Sequence, residues 1–269
     1  MIFDCFLFFN EEDLLDLRLN ELSGAVDKFV IIEAHQTFAG HDRDLVFPLI
    51  EDKFSEFKDQ IIYASVQMPY GKENSRFANR AREIHQREHI KTVLKDNGVK
   101  DEDRVLISDL DEIPDKDYLL QATQDTQNYV FLQDAFYYYV NNRYIAAGNS
   151  KWYGTISVKW EHLKTIKPSS PTDLTFIISK KQDYIPIEAG WHFSYLGGAE
   201  AIKNKVLSFS AADEYGSSSS LNSLESRFQN NQDLFGRPEI QFRPISLGDI
   251  KYPDYLLNNQ EKFHHLILS

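Results

Sequence analysis

The sequence predicts an α/β fold whose N-terminal half carries a mostly parallel sheet and whose C-terminal half is a strand-rich addition. Three features lead to this reading. Up to residue 115, short apolar runs alternate with segments of helical period, the pattern of strands buried beneath helices on both faces. Beyond it the chain turns aromatic and β-branched with partial alternation, as antiparallel or mixed strands do. No low-complexity linker and no internal repeat separates the two, so 1–269 reads as a single domain with halves 1–115 and 116–269.

The first strand is IFDCFLF, apolar and aromatic except for Asp4. Leu14, Leu15, Leu17, Leu19 and Leu22 then recur with mostly helical spacing, and Gly24 ends the run. KFVIIEA (28–34) and IIYASV (61–66) follow as buried strands. From Asn74 to Asp96 a polar helix is expected, with Phe77, Ala81, Ile84, His89 or Ile90, and Val93 as its packed stripe. RVLISD (104–109) is the fourth strand, and Pro114 opens a helix over DKDYLLQAT. NYVFLQDAFYYYVNNRYI and KWYGTISVKW supply later strands. The Ser- and Asn-rich stretch 209–233 has few large apolar residues and reads as a mobile loop, either a surface excursion or a lid over substrate.

With 42% hydrophobic and 26% charged residues the chain can build a core without staples. Its 29 basic and 41 acidic residues give a formal charge of −12, which opposes docking on nucleic acid. The Arg-rich segment from Arg76 to Arg87 is still enough for one or two phosphates. Cys5, the single cysteine, lies in an apolar run and reads as a packed small hydrophobe. One cysteine excludes an internal disulfide and fits a reducing compartment. With no apolar run long enough to span a bilayer, a cytoplasmic protein without a transmembrane segment is expected.

At RVLISDLDEIPD (104–115) the apolar strand runs into acids. Ligands of open α/β sheets bind beyond the carboxyl ends of the strands. In an extended backbone residues i and i+2 face one side, so Asp109 and Asp111 can converge while Leu110 turns inward. Two hard oxygen ligands suit Mg²⁺ or Mn²⁺ and leave positions for water or phosphate. The alternative makes Asp109 a turn cap and Asp111 and Glu112 first-turn charges on the following helix. An EF-hand starting at Asp109 fails, because Ile113, Pro114 and Leu120 stand where it needs an oxygen ligand, Gly and Glu. Asn10 and Glu11 end the first strand and Glu33 the second, placing them at the same sheet edge as nucleotide contacts or ordinary caps. Asn79, Arg82 or Glu83, and Gln86 or Arg87 share a helix face, from which Arg82 or Arg87 could reach a diphosphate or simply stay solvated.

SDLDEIP, together with FDCFLFFNEEDLLDLRLNEL, FVIIEAHQTFAG, REIHQREHI, GWHFSYLGGAEAIKNKV and KYPDYLLNNQEKFHHLI, resembles glycosyltransferase family 17 in family order along nearly the whole chain. The resemblance implies a Rossmann-like GT-A fold, a nucleotide-sugar donor linked to UDP and carrying GlcNAc or a relative, a saccharide acceptor, and inversion at the anomeric carbon. It also implies a divalent cation, Mn²⁺ or Mg²⁺, held by Asp109, Asp111 and His192, with Asp109 shared with the nucleotide. For His192 the residues alone equally give a half-buried histidine, and for Trp191 they give core packing or a sugar platform. Glu188 and Glu214 are the candidate bases, ahead of Asp213 and Asp134. YYYVNNRYIAAGNSKW departs from the family's acceptor region, so acceptor identity is not implied. A noncatalytic carbohydrate binder and a nucleotidyltransferase on a similar frame remain as alternatives.

Overall fold

The computed structural model describes residues 1–146, 150–165, 184–216 and 218–268. Four apolar segments form strands β1 (Ile2–Phe8), β2 (Lys28–Ala34), β3 (Ile61–Val66) and β4 (Arg104–Asp109), parallel in the order β3-β2-β1-β4. Their register sets Leu7 beside Asp109 and Phe8 beside Glu33, so the carboxyl ends finish at one edge. Antiparallel pairing then carries the sheet from β4 to β8 (Lys151–Lys159), β6 (Tyr129–Tyr137), β7 (Asn142–Ala146) and β11 (Ile240–Pro244). Three short strands pair off this path: β5 (Glu112–Ile113), β9 (Ile185–Ile187) and β10 (Trp191–Ser194). The result is a mixed α/β fold with a parallel N-terminal half, as the sequence predicts.

Alternation along β1 sorts its side chains between two cores. Phe6 and Phe8 join the leucines of helix α1 (Glu12–Leu22) on one face, while Phe3 and Cys5 meet Ile90, Val93 and Leu94 of the helix Arg76–Asp96 on the other. Cys5 is fully buried, and burial pushes its thiol up, which makes it inert. A third cluster packs Tyr137, Tyr138, Leu224 and Leu234 with Tyr144, Phe228 and Phe242, and absorbs many of the aromatics.

Two expectations change. The helix Arg76–Asp96 does not bury the Phe77 side of its surface: Phe77 is 72% exposed, and the buried positions include Asn79, Arg82, Glu83, Gln86 and Arg87. That polar face can go inside because each of these side chains finds at least one partner, as when Gln86 Nε2 donates to the Ile32 carbonyl at 3.0 Å. The Ser-rich stretch read as a loop is helical over Ala212–Tyr215 and Ser218–Gln229, where Leu224 and Phe228, four apart, supply an apolar seam. Residue 217 of that stretch lies outside the described residues. Among the described residues no helix is long and apolar enough to cross a membrane.

Asp4, the one charge in β1, meets Arg18 of α1 in a fully buried pair. Arg18 Nε and Nη2 donate to the two Asp4 carboxylate oxygens at 2.8 and 2.7 Å, and Nη2 also reaches Ser108 Oγ at 2.7 Å. Nη1 donates to the backbone carbonyls of Asp109, Leu110 and Glu112 at 3.0, 3.1 and 2.9 Å. The guanidinium therefore clamps the turn that follows β4, using each of its nitrogens. Arg18→Met is expected to cost about 3–5 kcal/mol in urea unfolding, since it strands a buried carboxylate and the carbonyls of Asp109 and Leu110, while the Glu112 carbonyl keeps Thr155 Oγ1 at 2.9 Å. Asp4→Leu combined with Arg18→Met should recover only part of that loss, because the carbonyls of Asp109 and Leu110 stay unmet.

Candidate active site

A cleft of about 320 Å³ opens at the carboxyl ends of β1, β2 and β4. Leu7 and Phe8 come to it from β1, Ala34 from β2, Asp109 from β4 and Glu83, Gln86 and Arg87 from the polar face of the Arg76–Asp96 helix. The far wall is Trp152, His192, Tyr195 and Lys205, the last on the helix Gly198–Ser208.

β4 ends at Asp109, and residues 110 and 111 turn before β5 begins. Asp109 and Asp111 both face the cleft, but a clamped turn places them there, where strand alternation alone had been expected to do so. β5 pairs with β10 so that Glu112 lies opposite His192. Gly190 permits that approach: with φ at +98°, it takes a conformation side chains rarely adopt, and a Cβ there would stand 2.6 Å from the Ile113 carbonyl oxygen.

Each acid of the turn has a cation. Arg87 Nη2 donates to Asp109 Oδ1 at 2.7 Å, and Lys205 Nζ donates to Asp111 Oδ2 at 2.8 Å. His192 Nε2 lies 3.8 Å from the same Asp111 oxygen. Burial pushes the Asp111 carboxyl up, but the Lys205 ammonium and His192 outweigh it and hold the group well below the usual carboxylate range. Burial opposes charge on Lys205 too, and the Asp111 and Glu11 carboxylates more than offset that.

Beside the acidic pair, Glu112 could cap the following helix or brace the site from behind; the cap of the helix Lys116–Leu119 is Asp115, whose Oδ1 accepts from Asp117 N at 3.1 Å, and the bracing role is the one the structure gives Glu112. Glu112 belongs to the site. Its Oε2 accepts from the Asp109 N–H at 2.9 Å and its Oε1 from Trp152 Nε1 at 2.6 Å. The Trp152 ring in turn stacks on His192, 4.4 Å between centroids. Burial, then the Asp109 charge, pushes the Glu112 carboxyl up to about 7.

Of the residues singled out in the sequence, Glu11, Arg87, Asp109, Asp111 and His192 line this cleft together. Asn10 is exposed beside it and is not among the lining residues. Glu33 is a correction: fully buried, it bonds Arg43, Tyr63 and the backbone N–H groups of Val46 and Phe47 at the start of α2 (Phe47–Ile50), so no oxygen is turned to a ligand. Arg82 is a second: its buried guanidinium donates to the carbonyls of Phe38, Gly71 and Glu73 at 2.8, 2.8 and 2.7 Å, tying two loops together. Trp191 is a third, only 2% exposed with Nε1 donating to the Lys251 carbonyl at 2.8 Å. Glu188 is exposed after β9 and away from the cleft. Glu214 lines a second cavity with Tyr215, Leu224, Arg227 and Phe235, and meets Arg76 at 3.7 Å. Sequence reasoning missed Lys205 and Trp152; the GWHFSYLGGAEAIKNKV block, which holds Lys203 and Lys205, was the only signal for the first.

Among the described residues no three Asp, Glu, His or Cys side chains gather as a resident metal centre. The turn still fits an ion that arrives with phosphate ligands, because such ions need only one or two carboxylates from the protein. Asp109 Oδ2 and Asp111 Oδ1 are the oxygens left for it once Arg87 and Lys205 are satisfied.

The raised Glu112 carboxyl gives a pH test. The folded chain holds this proton to about pH 7, whereas the unfolded chain releases it near its ordinary value of 4.5. Between these values the native state binds more protons, so this group's contribution to stability falls as pH rises. Urea unfolding across that window should show Glu112→Gln losing less stability with rising pH than the wild type.

The human β-1,4-mannosyl-glycoprotein 4-β-N-acetylglucosaminyltransferase is 24% identical over 296 residues, a match covering 96% of this chain and 53% of the relative. The rat protein of the same name is also 24% identical, over 307 residues with the same coverage. This chain thus spans about half the length of the curated relatives it matches. Among solved structures, the glycosyltransferase GlyE of Streptococcus pneumoniae TIGR4 aligns with 100% of this chain and 60% of its own, at a TM-score of 0.37 and 12% identity. The model of glycosyltransferase family 17 matches residues 1–268, acidic turn and cleft walls included, and the chain belongs to that family.

Proposed function

We propose that the chain is a metal-dependent, inverting glycosyltransferase of GT-A type that moves GlcNAc or a close relative from a UDP-linked donor to a saccharide. The observation that carries the reading is the acidic turn at the carboxyl end of β4, flanked by Arg87 and Lys205 in a cleft at the ends of parallel strands. The family supports sugar transfer, and the names of the relatives support N-acetylglucosamine as the sugar.

In this reading the N-terminal half supplies most of the donor site. The nucleoside lies over the ends of β1 and β2, against Phe8, Phe9 and Thr37. Arg87 and Lys205 bind the diphosphate as fixed cations and stabilise the charge that builds on it as the bond to the sugar breaks. A divalent ion at Asp109 and Asp111 adds Lewis-acid stabilisation of the same leaving group. Trp152, held by Glu112 and backed by His192, keeps 39% of its surface open and offers an edge or face to the sugar.

The acceptor reaches the cleft from the second cavity. Phe209 joins the two: it lines the cleft and packs on Tyr215 and Phe235, which line the cavity. Glu214, half exposed there with a loose contact to Arg76 and a hydrogen bond from the Tyr215 hydroxyl, is assigned as the base that takes the acceptor hydroxyl's proton. A single buried cysteine supports a reducing compartment as the setting.

Thermal shift with Mn²⁺ and a panel of nucleotides tests the donor site; if no nucleoside diphosphate or nucleotide sugar stabilises the chain, the reading fails. With labelled UDP-GlcNAc and saccharide acceptors, Asp111→Asn should lower turnover about 10²–10³-fold. Glu214→Gln should lower kcat by about 10²–10⁴-fold while donor affinity stays unchanged. Release of pyrophosphate in place of UDP would identify a nucleotidyltransferase instead.

A further inference from the structure

The acids of the turn are already neutralised by two cations from different helices. Arg87 reaches Asp109 from the helix Arg76–Asp96, and Lys205 reaches Asp111 from the helix Gly198–Ser208, at 2.7 and 2.8 Å. Asp111 and Arg87 have side chains only 7% and 11% exposed, so neither can be left bare cheaply. Each cation also has a second carboxylate within reach, Glu83 at 3.4 Å from Arg87 and Glu11 at 3.5 Å from Lys205. Turning away from the acidic turn would therefore not strand either cation. Lys205 Nζ further lies 5.6 Å from the Tyr195 ring centroid, a face along which it can swing.

We propose that Arg87 and Lys205 are exchangeable counterions of the acidic turn, released from Asp109 and Asp111 only when a divalent cation and a diphosphate enter together. The charges balance on both sides of the exchange. Before it, two carboxylates face two protein cations; after it, the carboxylates face a doubly charged ion and the protein cations face a diphosphate with two charged groups. No covalent bond changes. An ion entering alone would displace two cations that stay nearby and repel it. A diphosphate entering alone would pull the cations off and lie beside two bare carboxylates. Only joint entry leaves neither a bare carboxylate nor like charges facing each other, so the two ligands bind with strong positive coupling, and by linkage each raises the other's affinity equally.

The inference rests on the donor reading above, and the experiment separates the two. Uptake of Mn²⁺ by the full chain is followed through the electron paramagnetic resonance of free Mn²⁺, with and without UDP and corrected for Mn²⁺–UDP association in solution. In the wild type, saturating UDP should raise Mn²⁺ affinity about 50-fold. Lys205→Gln frees the Asp111 oxygen, so Mn²⁺ alone should bind about 10-fold tighter than to the wild type, while UDP in the presence of Mn²⁺ binds about 10-fold more weakly. Lys205→Arg keeps the cation and should behave as wild type. If circular dichroism shows Lys205→Gln unfolded, Arg87→Gln tests the same point at Asp109. Equal Mn²⁺ affinity with and without UDP in the wild type, or equal Mn²⁺-only affinity in wild type and a folded Lys205→Gln, overturns the exchange while leaving the donor site standing. Absence of any UDP or UDP-GlcNAc binding with Mn²⁺ overturns the donor reading itself.

Discussion

The site depends on one buried ion pair, Asp4 with Arg18. Asp4 is the single charge of an otherwise apolar strand, and Arg18 projects from a leucine-lined helix with no exposed surface. Such a pair is not a source of stability by itself, since desolvation offsets much of the attraction. Its consequence is positional. With Asp4 holding two of its nitrogens, Arg18 directs the third at the carbonyls of Asp109, Leu110 and Glu112. Those carbonyls point toward α1, and the carboxylates of Asp109 and Asp111 line the cleft.

Around that turn the protein inverts the usual amphipathic rule. The first half of the Arg76–Asp96 helix buries Asn79, Arg82, Glu83, Gln86 and Arg87 and exposes Phe77, while its second half packs Ile90, Val93 and Leu94 on the apolar sheet. Buried polar groups are tolerated where each has a partner. Arg82 finds three loop carbonyls, Gln86 the edge of β2, and Arg87 the turn. One helix face thus does two jobs, with Arg82 tying loops and Arg87, one turn further along, facing the cleft.

On the opposite wall the aromatic and the charged residues are linked. Glu112 accepts from Trp152, Trp152 stacks on His192, and His192 lies beside Asp111. This chain runs from β5 through β8 to β10, three strands distant in sequence that the sheet makes neighbours. Trp191, adjacent to His192, points the other way into the core, as alternation along β10 requires.

The strands, the helix of leucines, the acidic end of β4 and the family could all be read from the chain, because each is local: period, caps and short blocks lie in consecutive residues. Their parallel pairing was legible too, since alternating strands and helices favour it, while the order β3-β2-β1-β4 came only with the structure. What the tertiary structure alone decided was partnership. Glu33 and Arg82 sit at positions as suggestive as Glu11 and Arg87, yet their hydrogen bonds are spent on backbone from other segments. Lys205 lies 94 residues from Asp111 in sequence and 2.8 Å from it in space. Charge attraction of this kind has no periodicity, so no pattern along the chain records it; only the fold, by bringing two helices to one sheet edge, does.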